Sequence, residues 1–141
     1  MLSPGVRRTE GCPVTVQTAL AFDYGVRRLG VATGSRFTGN AEALKTIALE
    51  GDARFAAIEK IIKEWQPDAL VIGVPFHPDG AEHEITQRAR RFGRQLKGRF
   101  RLPVYEVDER YTSVEAEAQG AKDIDSAAAA LILEQFFREN P

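Results

Sequence analysis

The sequence has one cysteine, Cys12, and two histidines, His77 and His83, among 141 residues. A single thiol excludes an internal disulfide framework, and so few nitrogen and sulfur ligands argue against a zinc centre. Tryptophan and methionine occur once each. No apolar run reaches the length of a membrane span, and Met1 to Glu10 lacks the apolar core of a signal peptide. Charge of one sign is missing too: 19 basic residues against 20 acidic ones leave a net charge of −1. No global positive field therefore advertises nucleic acid, and any basic site has to be built locally. There is no internal repeat and no low-complexity tract. These absences point to a cytoplasmic chain with no membrane partner.

What remains is an ordinary globular composition, 43% hydrophobic and 28% charged, in a chain long enough for one domain with a real core. Met1 to about Gln17, with Pro4 and Gly5, reads as a loose arm, and residues 18–141 as a single domain. Thr18 to Asp23 and Arg28 to Thr33 are expected to form two strands of a hairpin. Phe37 to Leu44 reads as a connection and Lys45 to Leu49 as a third strand. Asp52 is the expected N-cap of a helix in which Phe55, Ile58, Ile61, Ile62 and Trp65 form an apolar face ended by Pro67. Trp65 is expected in the core.

Ala69 to Val74 is nearly continuous in apolar residues, as in a strand buried on both faces. An arginine-rich helix is expected from about Ala81 to Lys97, then a strand from Val104 to Val107 running into Asp108. Two helical stretches follow, Ser113 to about Gln119 and Ile124 to Phe137. The order is that of an α/β fold with a hairpin-rich first half.

In such sheets ligands gather at the carboxyl ends of the strands. Asp23 closes the first strand, Asp108 and Glu109 close the last, and Asp125 opens the final helix. Carboxylates crowded together raise one another's pKa values unless cations sit among them. Hard cations such as Mg²⁺ take a few carboxylates, and two of them support phosphodiester cleavage. Each acid also has a plainer reading. Asp23 and Gly25 suit a hairpin turn, Asp108 to Arg110 an ion-paired turn, and Asp125 a helix start favourable to the dipole.

The segments Phe22-Asp23-Tyr24-Gly25, Arg28-Leu29-Gly30-Val31-Ala32 and Val71-Ile72-Gly73-Val74-Pro75 resemble the YqgF/RuvX family. So do Val107-Asp108-Glu109-Arg110-Tyr111-Thr112-Ser113 and Ile124-Asp125-Ser126-Ala127. The resemblance implies an RNase H-like fold, a five-stranded mixed sheet with its first three strands antiparallel, flanked by helices. It also implies a nuclease, described in the family both for the 5′ end of the small-subunit rRNA precursor and for Holliday junctions. Carried over residue by residue, it makes Asp23, Glu109 and Asp125 the catalytic acids and ligands of Mg²⁺ or Mn²⁺. Asp108 stands as the alternate or supporting ligand. Gly73 lies where many nucleases of this fold carry a further acid. The segment Gly120-Ala121-Lys122-Asp123 is shorter and less basic than in many relatives.

Arg27, Arg28, Arg110 and Thr112 lie beside these acids and are the expected substrate contacts. The partner is then nucleic acid, either pre-rRNA or branched DNA, bound by a monomer or a homodimer. Two rival readings are weighed against this. An actin-type ATPase also uses an Asp-x-Gly hairpin but needs a second, related domain. A non-catalytic nucleic-acid-binding module would need no acids in place.

Overall fold

The computed structural model describes residues 17–77, 79–82, 84–109 and 123–140. Five strands form one sheet: β1 (Thr18–Asp23), β2 (Leu29–Ser35), β3 (Asn40–Ile47), β4 (Ala69–Val74) and β5 (Val104–Asp108). Their spatial order is β3-β2-β1-β4-β5. The first three strands are antiparallel, and β4 and β5 run parallel to β1. The described helices are α1 (Gly51–Trp65), α2 (Glu84–Phe100) and α3 (Ile124–Glu139). None of the described helices is long and apolar enough to cross a membrane.

Alternation along the strands sorts the core into two layers. Leu20 and Phe22 of β1 face one side, with Leu70, Ile72 and Val74 of β4 and the apolar stripes of α1 and α2. Ala19 and Ala21 face the other, where Ala69, Val71 and Val107 meet Ala128, Ile132, Leu133 and Phe136 of α3. The second layer is built from small residues, so α3 lies close against the strands. Deleting or adding one methyl there changes the helix-to-sheet distance, because interiors are packed to crystal density.

Several element boundaries differ from the sequence reading, each for a local reason. β3 begins at Asn40, inside the expected connection. It is an edge strand with half of its residues exposed and only Ile47 buried, so it carries no apolar run to reveal it. A short turn joins it to β2, closed by Gly39 N–H donating to the Ser35 carbonyl at 2.9 Å with Gly39 at φ 74°. The α1 N-cap is Glu50, without a side-chain capping bond. Asp52 instead sits in the first turn and pairs with Arg99 at 3.2 Å.

Trp65 is not in the core; it is 41% exposed at the last turn of α1. There Gln66 turns left-handed (φ 46°) and donates to the Ile62 carbonyl, just before Pro67. α2 starts at Glu84 and runs to Phe100. The expected helix over Ser113 to Gln119 falls outside the described residues, as does the loose arm of Met1 to about Gln17 except for Gln17 itself.

Candidate active site

The site starts from strand register. Asp23, the last residue of β1, lies opposite Gly30 of β2 and opposite Gly73 of β4, and Gly73 lies opposite Val107 of β5. Residues directly opposite one another share a face. Asp23 follows Ala19 and Ala21 in alternation, so its side chain belongs to the α3 face. Across three strands the row reads glycine, aspartate, glycine. Asp23 therefore stands at the carboxyl edge of the sheet with glycine opposite it on both neighbouring strands, and it is only half-buried.

Both glycines make room for another acid. A Cβ built on Gly73 would lie 2.6 Å from Glu109 Oε2 and would also overlap the Ile132 side chain. The Glu109 carboxylate thus rests over Gly73, one strand from Asp23. A Cβ on Gly30 would overlap the backbone carbonyl of Asp125 and lie 2.9 Å from Ser126 N. The first turn of α3 is pressed onto β2 at that point, one strand away on the other side of Asp23. Asp108 pairs with Val74, which faces α1 and α2. Alternation therefore assigns Asp108 to the opposite face and Glu109 to the face of Asp23.

The α3 start is fixed by Asp123, the N-cap, whose side chain accepts from Ser126 N. The Thr46 hydroxyl donates to the same carboxylate and ties α3 to β3. That hydrogen bond, opposed by partial burial, holds the Asp123 carboxyl below its ordinary pKa. Asp125 follows in the first turn, where the helix dipole favours a carboxylate.

The three acids do not close on one another as the sequence reading expected. Among the described residues, no group of three or more histidine, cysteine, aspartate or glutamate side chains stands close enough to hold a metal ion. The Asp125 carboxylate instead accepts from Arg28 Nε at 2.6 Å. Like-charged carboxylates repel, and an arginine within reach offers the opposite charge. The hydrogen bond and charge of Asp125 raise the Arg28 pKa above its ordinary value. Arg28, an expected substrate contact, is the ion-pair partner of Asp125 here. Arg27 beside it is exposed. Arg110 and Thr112 lie outside the described residues.

One functional-site neighbour was missed altogether. Arg54 is 5% exposed, and its guanidinium donates to the carbonyls of Leu49 (2.7 Å), Gly25 (3.0 Å) and Val26 (3.1 Å). It staples the β1–β2 loop, which directly follows Asp23, to α1. Burial lowers its pKa, but a guanidinium remains charged in proteins. The signal was present: Arg54 lies four residues before Ile58, on the apolar stripe, where a charged residue calls for a buried partner set.

The arginines of α2 divide into two groups. Arg90 is engaged by Glu82 at 2.6 Å and Glu106 at 3.3 Å, and Arg88 pairs with Glu84 at 3.0 Å. Arg91 and Arg94 are exposed.

With this geometry in view, comparison with known proteins is decisive. Residues 17–139 match the RuvX family, described as Holliday junction resolvase. The chain belongs to the RuvX family. A protein of Albidiferax ferrireducens named "Putative pre-16S rRNA nuclease" is 63% identical over 123 residues, covering 87% of this chain and 79% of its own. A protein of the same name from Polaromonas sp. (strain JS666) is 61% identical over 126 residues, covering 89% and 91%. Among solved structures, Thermus thermophilus RuvC in complex with a Holliday junction substrate superposes with a TM-score of 0.54. It is 13% identical, with 87% of this chain and 95% of that chain covered. At that identity the likeness shows the fold, which is the RNase H-like sheet expected from the motifs.

In donor type and room, though not in their present spacing, the residues suit a hard divalent cation. The donors are carboxylate oxygens, the ligand type such cations take. The glycine at position 73 leaves the space that Glu109 occupies beside Asp23, space a Cβ would fill.

Proposed function

We propose that this chain is a metal-dependent nuclease that hydrolyses phosphodiesters, with the 5′ end of pre-16S rRNA in ribosome biogenesis as its substrate. The observation that carries this reading is the row Gly30–Asp23–Gly73, with Glu109 seated over one glycine and the Asp125 backbone over the other. The acids come from separate elements at the carboxyl edge of the sheet: Asp23 ends β1, Glu109 follows β5 and Asp125 opens α3. The names of the relatives at 63% and 61% identity support the RNA substrate. A cytoplasmic location follows from that role.

Asp23, Glu109 and Asp125 are the residues that would hold Mg²⁺ or Mn²⁺, whereas Asp108, the alternate, belongs to the opposite face of the sheet. The chemistry a divalent cation supplies at such a site is a water acidified for attack and charge stabilisation at the leaving oxygen. The chain's own contribution is placement. Asp23 is fixed by strand pairing on both sides, and Asp125 by the capped first turn of α3. Glu109 is fixed by the room above Gly73. Arg28 and Arg27 supply positive charge for backbone phosphates, which carry most of the affinity for nucleic acid. In the present arrangement Arg28 neutralises Asp125, so substrate phosphate competes with that carboxylate for one guanidinium.

A second reading, cleavage of four-way DNA junctions, is favoured by the description of the family itself. A metal-titrated cleavage assay on pre-16S rRNA 5′ ends and on four-way junctions separates the two. Metal-dependent cutting of the RNA that Asp23→Asn abolishes is the expected result. Cutting of junctions alone reverses the substrate. Cleavage surviving Asp23→Asn overturns the site, and binding of both substrates without cleavage by the wild type identifies a non-catalytic binding module.

A further inference from the structure

The residue after Asp23 opens a second site on the other face of the sheet. Tyr24 packs against the α1–α2 layer and lines a pocket of about 310 Å³ with Arg88, Arg91, Phe92 and Gln95. Positions 88, 91, 92 and 95 fall on one face of α2 by helical spacing. We propose that this pocket is a subsite for one unpaired nucleotide flanking the reacting phosphate. Its base stacks on Tyr24 and its phosphate is held by Arg91 and Arg88. The proposal rests on the nuclease reading above and adds which part of the substrate the protein grips.

Three observations carry it. First, the Tyr24 ring is held in place. It lies 5.2 Å from the Phe92 ring at 41°, and Phe92 is backed by Phe55 at 5.6 Å and by Phe22 at 6.2 Å. The Arg54 guanidinium stands 5.8 Å from the Tyr24 centroid. A ring already fixed loses little freedom when a base stacks on it. Second, among the described residues the lining holds two arginines and a glutamine and no acid. Among the described residues Arg91 forms no ion pair, and Arg88 has only Glu84, a surface partner 79% exposed. Such pairs are weak and yield readily to phosphate. Third, the volume is at the lower end of ligand pockets, which suits one nucleotide and not a duplex. Asp23 and Tyr24 are consecutive at the carboxyl end of β1 and serve opposite faces of the sheet, so a strand that bends over this edge meets both. Arginine with a stacking aromatic is the combination that grips single strands whatever their sequence.

The test uses the full chain in an Asp23→Asn background, so binding is read without cleavage. The probe is an RNA duplex with a single-stranded extension carrying 2-aminopurine beside the junction, compared with a blunt duplex. Tyr24→Leu is expected to weaken binding of the extended probe about tenfold, equivalent to 1.4 kcal/mol. It should leave the blunt duplex within about twofold and abolish the stacking quench of 2-aminopurine. Arg91→Gln, an exposed change that leaves the core intact, should lower the salt dependence of binding by about one phosphate contact. Unchanged affinity and fluorescence in both variants overturn the subsite, as does an equal loss on extended and blunt probes. A wild-type chain that fails to cleave but shows these binding effects refutes the nuclease reading and leaves the subsite standing.

Discussion

Gly30→Ala tests whether the position of Asp125 is set by packing. The added methyl would overlap the Asp125 carbonyl and press on Ser126 N. Both obstacles are backbone, so no rotamer change relieves them. The first turn of α3 has to retreat by roughly 1 Å, while Ala129, Ile132 and Leu133 further along stay seated on the sheet. Overpacking of this kind costs about 1–3 kcal/mol. For a domain of this size that lowers Tm by roughly 2–4 °C per kcal/mol, so the variant should still fold. A displacement of about 1 Å at a reacting group costs on the order of 100-fold in rate. The expected outcome is a single-turnover cleavage rate about 100-fold lower in a protein that melts only several degrees lower.

Gly98→Ala is the control, since a Cβ there meets nothing within 4 Å. It should raise stability by roughly 0.5–1 kcal/mol and leave cleavage alone. If Gly30→Ala loses stability but cleaves within twofold of wild type, Asp125 is not part of the reacting centre. If it loses neither, the α3 start is not pinned where described.

Gly73→Ala presses on the Glu109 carboxylate and on the fully buried Ile132 side chain. Stability should fall by about 1–3 kcal/mol, while the metal concentration for half-maximal cleavage rises roughly tenfold, read by Mg²⁺ titration. Arg54→Met leaves three loop carbonyls without their donor. A loss of roughly 2–3 kcal/mol is expected in urea unfolding, with faster amide exchange in the loop from Gly25 to Arg28 and little change at α3.

How far the sequence could be read depended on how strongly each residue was committed. β4 was legible because six consecutive residues are buried on both faces and all but one, Gly73, are apolar side chains. β1 was legible because an apolar run ends on a carboxylate. β3 was not, because an exposed edge strand held by backbone pairing imposes little on its side chains. Trp65 misled for the opposite reason: helical spacing places it on the apolar stripe, but the stripe runs off the core before the helix ends. At the site, the elements that carry the candidate acids were legible, and the spacing that keeps those acids apart was not. The pairing of Arg28 with Asp125 joins residues 97 apart in sequence, and no local pattern announces it. The choice between Asp108 and Glu109 needed the register of β5 against β4, which decides the face each residue takes.

The glycine–aspartate–glycine row bears on how decay of such a site would look. An acid inventory asks whether Asp23, Glu109 and Asp125 are present, and a chain that keeps all three passes. Yet a single methyl at position 30 would displace the start of α3 in the same chain, and one at position 73 would crowd Glu109, without touching one charge. Inactive descendants of this fold are therefore to be sought among sequences whose acids are complete and whose flanking glycines are not.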